Sequence, residues 1–277
     1  MPALLILGLG YTATRLADRL RCDGWTIAGT TRDGRDGTLR FDSAEAAEAI
    51  RAATHILSSV PPDGDRDYVL AAHADALRRT PWLGYLSSTG VYGDTGGAWA
   101  DESAPTGSGR RSARAASDAA WLELGARVFR LPGIYGPGRS PLERVATGKA
   151  HRTGLTEQVF SRVHVDDIVS GVIAGLTAPA GAYNIADDRP ASQDDVVSEA
   201  ARLLKLPPPP FVALDSLSPA QRGFYAENRR VANGKAKRVL GWTPAYPDYR
   251  AGLRALSATT SPTIASAAPA AASGDQR

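Results

Sequence analysis

Leu4-Leu5-Ile6-Leu7-Gly8-Leu9-Gly10-Tyr11-Thr12-Ala13 is the stretch that decides how this chain reads. A short apolar run reaches two glycines, and Leu16, Ala17 and Leu20 then recur at helical spacing. That pattern predicts a buried strand, a tight turn and a helix. In G-x-G-x-x-G/A, Gly8 permits the turn and Gly10 lets the backbone approach a pyrophosphate. Ala13 is small enough for close helix–strand packing. The free N–H groups at the helix start, over Tyr11, Thr12 and Ala13, together with the positive end of the helix dipole, form an anion site. A tight strand–helix turn in any α/β protein gives a similar pattern, so the surrounding chain has to support the reading.

The bulk numbers permit it. With 277 residues the chain can bury a full core in one large domain or two intimate lobes. Hydrophobic content of 43% and charged content of 22% are those of a globular protein. The formal net charge is only +3 and the arginines are scattered, which argues against a nucleic-acid-binding stripe. Cys22 is the single cysteine, so neither an internal disulfide nor a cysteine-based metal cluster can form, and no metal site is expected. The apolar start is too short for a signal or a membrane span, and a cytoplasmic protein is expected.

Further strands are predicted over Trp25–Thr30, Leu39–Phe41, His55–Val60, Leu83–Ser87, Arg127–Leu131 and Ala182–Ala186. Helices are predicted over Tyr68–Leu77, Ser112–Leu124, from Asp166 through Leu176, and from Ser192 to Leu204. Asp42 or Ser43 is placed to cap an alanine-rich helix, with Glu45 positioned for a capping box. Strands alternating with helices predict an α/β fold, a doubly wound parallel sheet with ligands at the carboxyl ends of the strands. About 20 residues past the glycines an NAD site places an acid on the ribose 2′-hydroxyl. Here that zone carries Thr30, Thr31 and Arg32, and a guanidinium suits a 2′-phosphate, so NADP(H) is preferred over NAD(H). A mixed-charge surface loop is the alternative. The expected organisation is a Rossmann-type core over 1–186 with an excursion at 132–162, a smaller substrate-side lobe over 187–256, and a disordered tail over 257–277.

Five phrases in order carry a family resemblance: Gly8-Leu9-Gly10-Tyr11, Leu86-Ser87-Ser88-Thr89-Gly90-Val91-Tyr92-Gly93-Asp94, Ile134-Tyr135-Gly136-Pro137-Gly138-Arg139, Val163-His164-Val165-Asp166-Asp167-Ile168, and Tyr183-Asn184-Ile185-Ala186-Asp187-Asp188. From about Ala3 to Leu256 the chain resembles the extended short-chain dehydrogenase/reductases, the NAD-dependent epimerase/dehydratase family. The resemblance implies a nicotinamide cofactor, a small carbonyl- or hydroxyl-bearing substrate and a homodimer. It implies that Ser88, with Thr89 beside it, polarises the reacting oxygen. It also implies that Asp42 lies near the adenine and that the strand end carrying Ser58 and Ser59 lines the cofactor. Against these stand structural roles: hydroxyls closing a strand end, and Asp42 capping a helix.

The chain departs from the family where the proton donor should stand. The tyrosine and, four residues later, the lysine belong between Pro105 and Asp118, and that stretch contains neither. The two positions fall on Arg110 and Arg114. An arginine stays protonated and cannot relay a proton, but Arg114 can place charge near a ribose, and Arg110 can bind a substrate anion or carbonyl. Tyr92 and Tyr135 are the nearest alternative donors, His164 a conceivable base, and packing at strand ends is their structural alternative. Gly133 replaces an asparagine that holds the phosphate in sugar-nucleotide enzymes, which argues against such a substrate. Arg139, Arg144, Lys149 and Arg152 are candidates for binding an acidic substrate, or form a solvated basic loop. The alternative to an enzyme is a cofactor-binding module with little turnover.

Overall fold

The computed structural model describes residues 2–109 and 112–259. β1 (Ala3–Leu7) points Leu4 and Ile6 into one helical layer and Leu5 and Leu7 into the other, and all four are buried. An unbroken apolar run is what a parallel strand covered on both faces requires. It feeds α1 (Tyr11–Cys22), which buries Ala13, Leu16, Ala17 and Leu20. β2 (Thr26–Thr31), β3 (Leu39–Arg40), α2 (Ala44–Ala52), β4 (His55–Ser58), α3 (Tyr68–Leu77) and β5 (Trp82–Ser88) follow. Then come β6 (Trp99–Ala100), α4 (Ser112–Glu123), β7 (Arg127–Leu131) and β8 (Gly133–Tyr135). The excursion holds α5 (Pro141–Ala146) and β9 (Val159–Phe160), and returns through β10 (Arg162–His164) into α6 (Val165–Ala174). The last elements are β11 (Gly181–Asn184), β12 (Ala191–Ser192), α7 (Gln193–Leu204), α8 (Pro219–Phe224), β13 (Arg230–Val231), α9 (Gly234–Leu240) and α10 (Tyr249–Thr259).

Seven parallel strands pair in the order β11-β7-β5-β4-β1-β2-β3, the doubly wound sheet that the sequence predicts. The order reverses between β1 and β4, and the crevice outside their carboxyl ends is where such sheets bind ligands. One face is covered by α1 and α6, with Leu16, Leu20, Ile168 and Val172 against Leu4, Ile6 and Phe129. Ile50, Val69, Leu77 and Trp121 of α2, α3 and α4 pack on Leu5, Leu7, Tyr85 and Val128 on the other. Among the described residues no helix is long and apolar enough to cross a membrane.

A third core joins Tyr135, Leu142 and Val145 to Val196, Val197 and Ala200 of α7 and to Tyr249, Leu253 and Leu256 of α10. β6 pairs with β13 and β8 with β10. The smaller layer therefore draws on residues before 187 as well as after it. Because Leu253 and Leu256 anchor α10, that helix continues through Ser257 to Thr259, where a tail was expected. The remainder of that expected tail lies outside the described residues.

Of the two caps expected for α2, Ser43 serves, accepting from Ala46 N, while Asp42 is held by two hydrogen bonds from Arg40. That places Ala46, not Glu45, at the capping-box position. α6 begins at Val165, one turn position earlier than expected, so its cap is His164, whose Nδ1 accepts from Asp166 N.

An ion pair lies at the centre of the molecule. Arg130 on β7 donates from Nη2 to Asp118 Oδ1 at 2.7 Å and from Nε to Oδ2 at 3.1 Å. The two side chains are 4% and 1% exposed, so neither charge is solvated. Ser87 Oγ donates to the same carboxylate at 2.6 Å. Arg130 Nη1 donates to the Tyr92 hydroxyl at 2.9 Å, and that hydroxyl donates to Asn184 Oδ1 at 2.8 Å. The network ties β5, α4, β7 and β11 together. Such a pair adds little net stability when complete, but a lone buried charge is costly.

Arg130→Leu is expected to lower unfolding free energy by about 3–5 kcal/mol, and adding Asp118→Leu to recover part of that loss, both read by chemical denaturation. Packing of α10 gives a second test. A Cβ on Gly252 would collide with the Tyr135 hydroxyl, and this buried hydroxyl makes no hydrogen bond among the described residues. Tyr135→Phe should melt at the wild-type temperature or above it, and Gly252→Ala below it.

Candidate active site

The Gly-rich turn is shaped by its neighbours. Gly8 adopts φ +84°, and a Cβ there would lie 2.9 Å from Val60 Cγ2, so both conformation and space demand glycine. Gly8 N donates to Thr30 Oγ1 at 3.2 Å, and the Ser59 hydroxyl donates to Gly8 O. Gly10 caps α1 without any side-chain hydrogen bond to the first-turn amides, and a Cβ on it would meet nothing within 4 Å. Uncapped amides and open space at a glycine fit a pyrophosphate. Ala13 is buried and packs the helix onto the sheet.

The turn opens into a cavity of about 850 Å³ lined by Gly10, Tyr11, Thr12, Ser59, Ser88, Thr89, Arg114, Tyr135, Arg139 and Arg144, and by Phe160, Arg162, Phe224 and Arg229. Tyr11 donates its hydroxyl to Pro137 O at 3.0 Å, which ties the excursion to the first loop. The Arg139 guanidinium lies 5.8 Å from the Tyr11 ring centroid. Arg139, expected on the substrate, is thus beside the first loop.

Ser88 ends β5. Its Oγ accepts from Gly90 N at 3.1 Å, so a lone pair is engaged and the hydroxyl proton is left to donate. Thr89 is buried beneath it and reaches the same cavity. Arg114, one turn before Asp118 on α4, donates one N–H to the Tyr85 hydroxyl at 3.0 Å, and its other donors have no partner among the described residues. Arg110 lies outside the described residues.

The proposed alternative proton donors do not serve. Tyr92 is 2% exposed, has both hydrogen bonds committed to Arg130 and Asn184, and is absent from the cavity lining. Burial pushes its pKa up to about 12. Tyr135 lines the cavity, but its hydroxyl lies against Gly252 of α10, and burial raises its pKa too. His164 is committed to capping α6, is 1% exposed, and burial lowers its pKa.

Around the second strand, Thr31 Oγ1 bonds Thr38 Oγ1 and accepts from Gly34 N, so it shapes the loop. The acids nearby are already partnered: Asp33 with Arg35, and Asp42 with Arg40. Arg32 is exposed and makes no ion pair or hydrogen bond among the described residues. Ser58 is fully buried with its hydroxyl accepting from Val60 N, leaving Ser59 as the hydroxyl that faces the cavity. Of the four basic candidates in the excursion, Arg144 also lines it. Lys149 does not, and Arg152 lies over the Phe211 ring at 3.9 Å.

Sequence reading missed Arg162, Phe160 and Phe224. Arg162 is 7% exposed in β10, hydrogen-bonded to the Phe160 and Ala191 carbonyls and to Gln193 Oε1. The signal was an arginine within a strand, next to Val163; its partners come from about 30 residues further on.

No family model matches the chain. A solved structure of a conserved protein of unknown function from Silicibacter pomeroyi DSS is 39% identical, with a TM-score of 0.82, covering 94% of this chain and 99% of that one. Protein YeeZ of Escherichia coli K12 is 29% identical, covering 90% of this chain and 97% of its own length. A 3-diazoavenalumate denitrifying reductase from a Streptomyces species is 32% identical over 47% of each chain. The human epimerase family protein SDR39U1, solved with NADPH, has a TM-score of 0.75 at 16% identity, covering 93% of this chain and all of that one. At that identity the likeness is one of fold. At 39% identity over nearly the whole of both chains, this chain belongs to one family with the Silicibacter protein, and its strand order is that of the fold it shares with the human epimerase family protein.

Proposed function

We propose that this protein is an NADP(H)-dependent oxidoreductase acting on a small carbonyl or hydroxyl compound without the usual tyrosine–lysine pair. The observation that carries the reading is that one cavity joins the uncapped start of α1 to Ser88 and Arg114. The amides of Tyr11 and Thr12 would hold the dinucleotide's pyrophosphate, with Arg139 adding charge beside them. Arg32, with no ion pair among the described residues, would take the 2′-phosphate, since Asp33 and Asp42 already pair with Arg35 and Arg40. The human neighbour was solved with NADPH, which supports the same choice. A bound nicotinamide would supply or accept hydride at the substrate carbon.

The chain's own part is to bind the oxygen. The Ser88 hydroxyl, oriented by Gly90 N, donates to a carbonyl that is becoming an alkoxide. Arg114 adds a fixed positive charge in the same cavity but cannot surrender a proton. The proton that completes a reduction then comes from water in the cavity. The absence of a tyrosine donor favours a second reading, a dinucleotide-binding module without turnover.

Energy transfer from tryptophan to the reduced nucleotide should report NADPH binding more strongly than NADH binding. Arg32→Ala should weaken NADPH by about tenfold and leave NADH within about twofold; equal losses would remove Arg32 from the 2′-phosphate. In a screen of aldehydes and ketones with NADPH, Ser88→Ala should lower kcat about 100-fold. Full activity in that variant would discard its role, and binding without turnover across the screen would establish the module.

A further inference from the structure

Arg162 is a buried guanidinium that lines the cavity, yet none of its hydrogen bonds reaches a carboxylate. Nη1 donates to Phe160 O and Ala191 O, both at 2.8 Å, and Nη2 donates to Gln193 Oε1 at 3.1 Å. These are neutral acceptors. They fix the guanidinium plane without cancelling its charge, and among the described residues the Nε proton and one Nη2 proton have no partner. Burial lowers its pKa only to about 10, so it stays charged at neutral pH. The nearest carboxyl is Asp187, whose pKa burial raises and the Arg162 charge lowers, but no side-chain hydrogen bond of Arg162 reaches it.

The surroundings reinforce this. Five arginines line the cavity: Arg114, Arg139, Arg144, Arg162 and Arg229. Its two acids are engaged, Glu143 accepting from Gly138 N and Ser140 N, and Glu227 paired with Arg229 at 2.8 Å. A buried guanidinium whose hydrogen bonds go only to neutral acceptors is well suited to receive an anion on its open donors. Beside it stands an aromatic wall. Phe160 and Phe224 are stacked with centroids 4.3 Å apart at 11°, both line the cavity, and the Arg162 Cζ lies 5.8 Å from the Phe160 centroid. Phe224 is 44% exposed, so its ring is accessible from the cavity it lines.

We infer that Arg162 and the Phe160–Phe224 pair form the substrate's acid-binding subsite, and that the substrate is a planar aromatic carboxylate. The inference rests on reading the cavity as the substrate pocket of a dinucleotide-dependent enzyme. The free edge of the guanidinium takes the carboxylate in a fork, and the rings take the flat apolar body. Arg144 at the rim, exposed and with no ion pair among the described residues, draws the anion in.

Calorimetry with cinnamate, on the full-length protein with and without NADP, tests this independently of turnover. Cinnamate should bind, with cinnamide (the same shape without the charge) and hexanoate (the same charge without the ring) each about tenfold weaker or more. Arg162→Gln should lower cinnamate affinity by about tenfold and Arg162→Lys by less, with NADPH binding serving as the check that both variants are folded. Phe224→Ala, at an exposed position that carries little folding risk, should weaken cinnamate about threefold or more. Equal binding of cinnamate and cinnamide overturns the inference. So does wild-type affinity in Arg162→Gln, displacement of cinnamate by tighter-binding UDP, or absence of cinnamate binding in protein that binds NADPH. Cinnamate binding that depends on Arg162 in protein that ignores both nucleotides would keep the subsite and discard the dinucleotide reading instead.

Discussion

The buried contact between Arg130 and Asp118 fixes the geometry on which the site depends. Asp118 sits on α4, and a residue four positions earlier on a helix shares its face, so holding Asp118 to β7 also aims Arg114 at the carboxyl end of β5. Ser87, the residue before Ser88, is bound to the same carboxylate. One ion pair thereby sets the spacing between the two groups assigned to the substrate oxygen. Its energetic return is small, and its value lies in allowing a single arrangement of helix against sheet.

The cavity collects what the fold leaves incomplete. Parallel strands end together at one edge, and there the chain exposes helix amides without a cap, a serine whose proton is free, and guanidinium groups without acids. Each is satisfied by an anion or an oxygen, and by little else. The acids nearby are consumed elsewhere: Asp42 by Arg40, Glu227 by Arg229, Glu143 by the amides before α5. Positive potential in a partly enclosed space follows from that allocation.

Local features were legible in the sequence and distant ones were not. Gly8, Gly10 and the apolar strand before them announce their conformation within ten residues, because the glycine turn is a local necessity. The alternation of strands and helices likewise gave the sheet, with ends shifted by a residue or two. Tyr92 and Tyr135 illustrate the limit. Both follow strand ends and precede glycine, and nothing local tells that one hydroxyl is claimed by Asn184, 92 residues on, and the other is pressed against Gly252. Arg162 was hidden for the same reason: a guanidinium in an arginine-rich stretch is distinguished only by its burial, which Ala191 and Gln193 provide.

The Asn184 side chain also donates from Nδ2 to Ala232 O at 3.0 Å, and β6 finds its partner only in β13. A chain emerging from the ribosome thus exposes β5, α4 and β7 well before residue 232 arrives to close them. During that interval the Arg130 network lacks its last neighbours and an apolar sheet edge awaits β11, the stage at which long-range pairing leaves a nascent chain most open to misassembly.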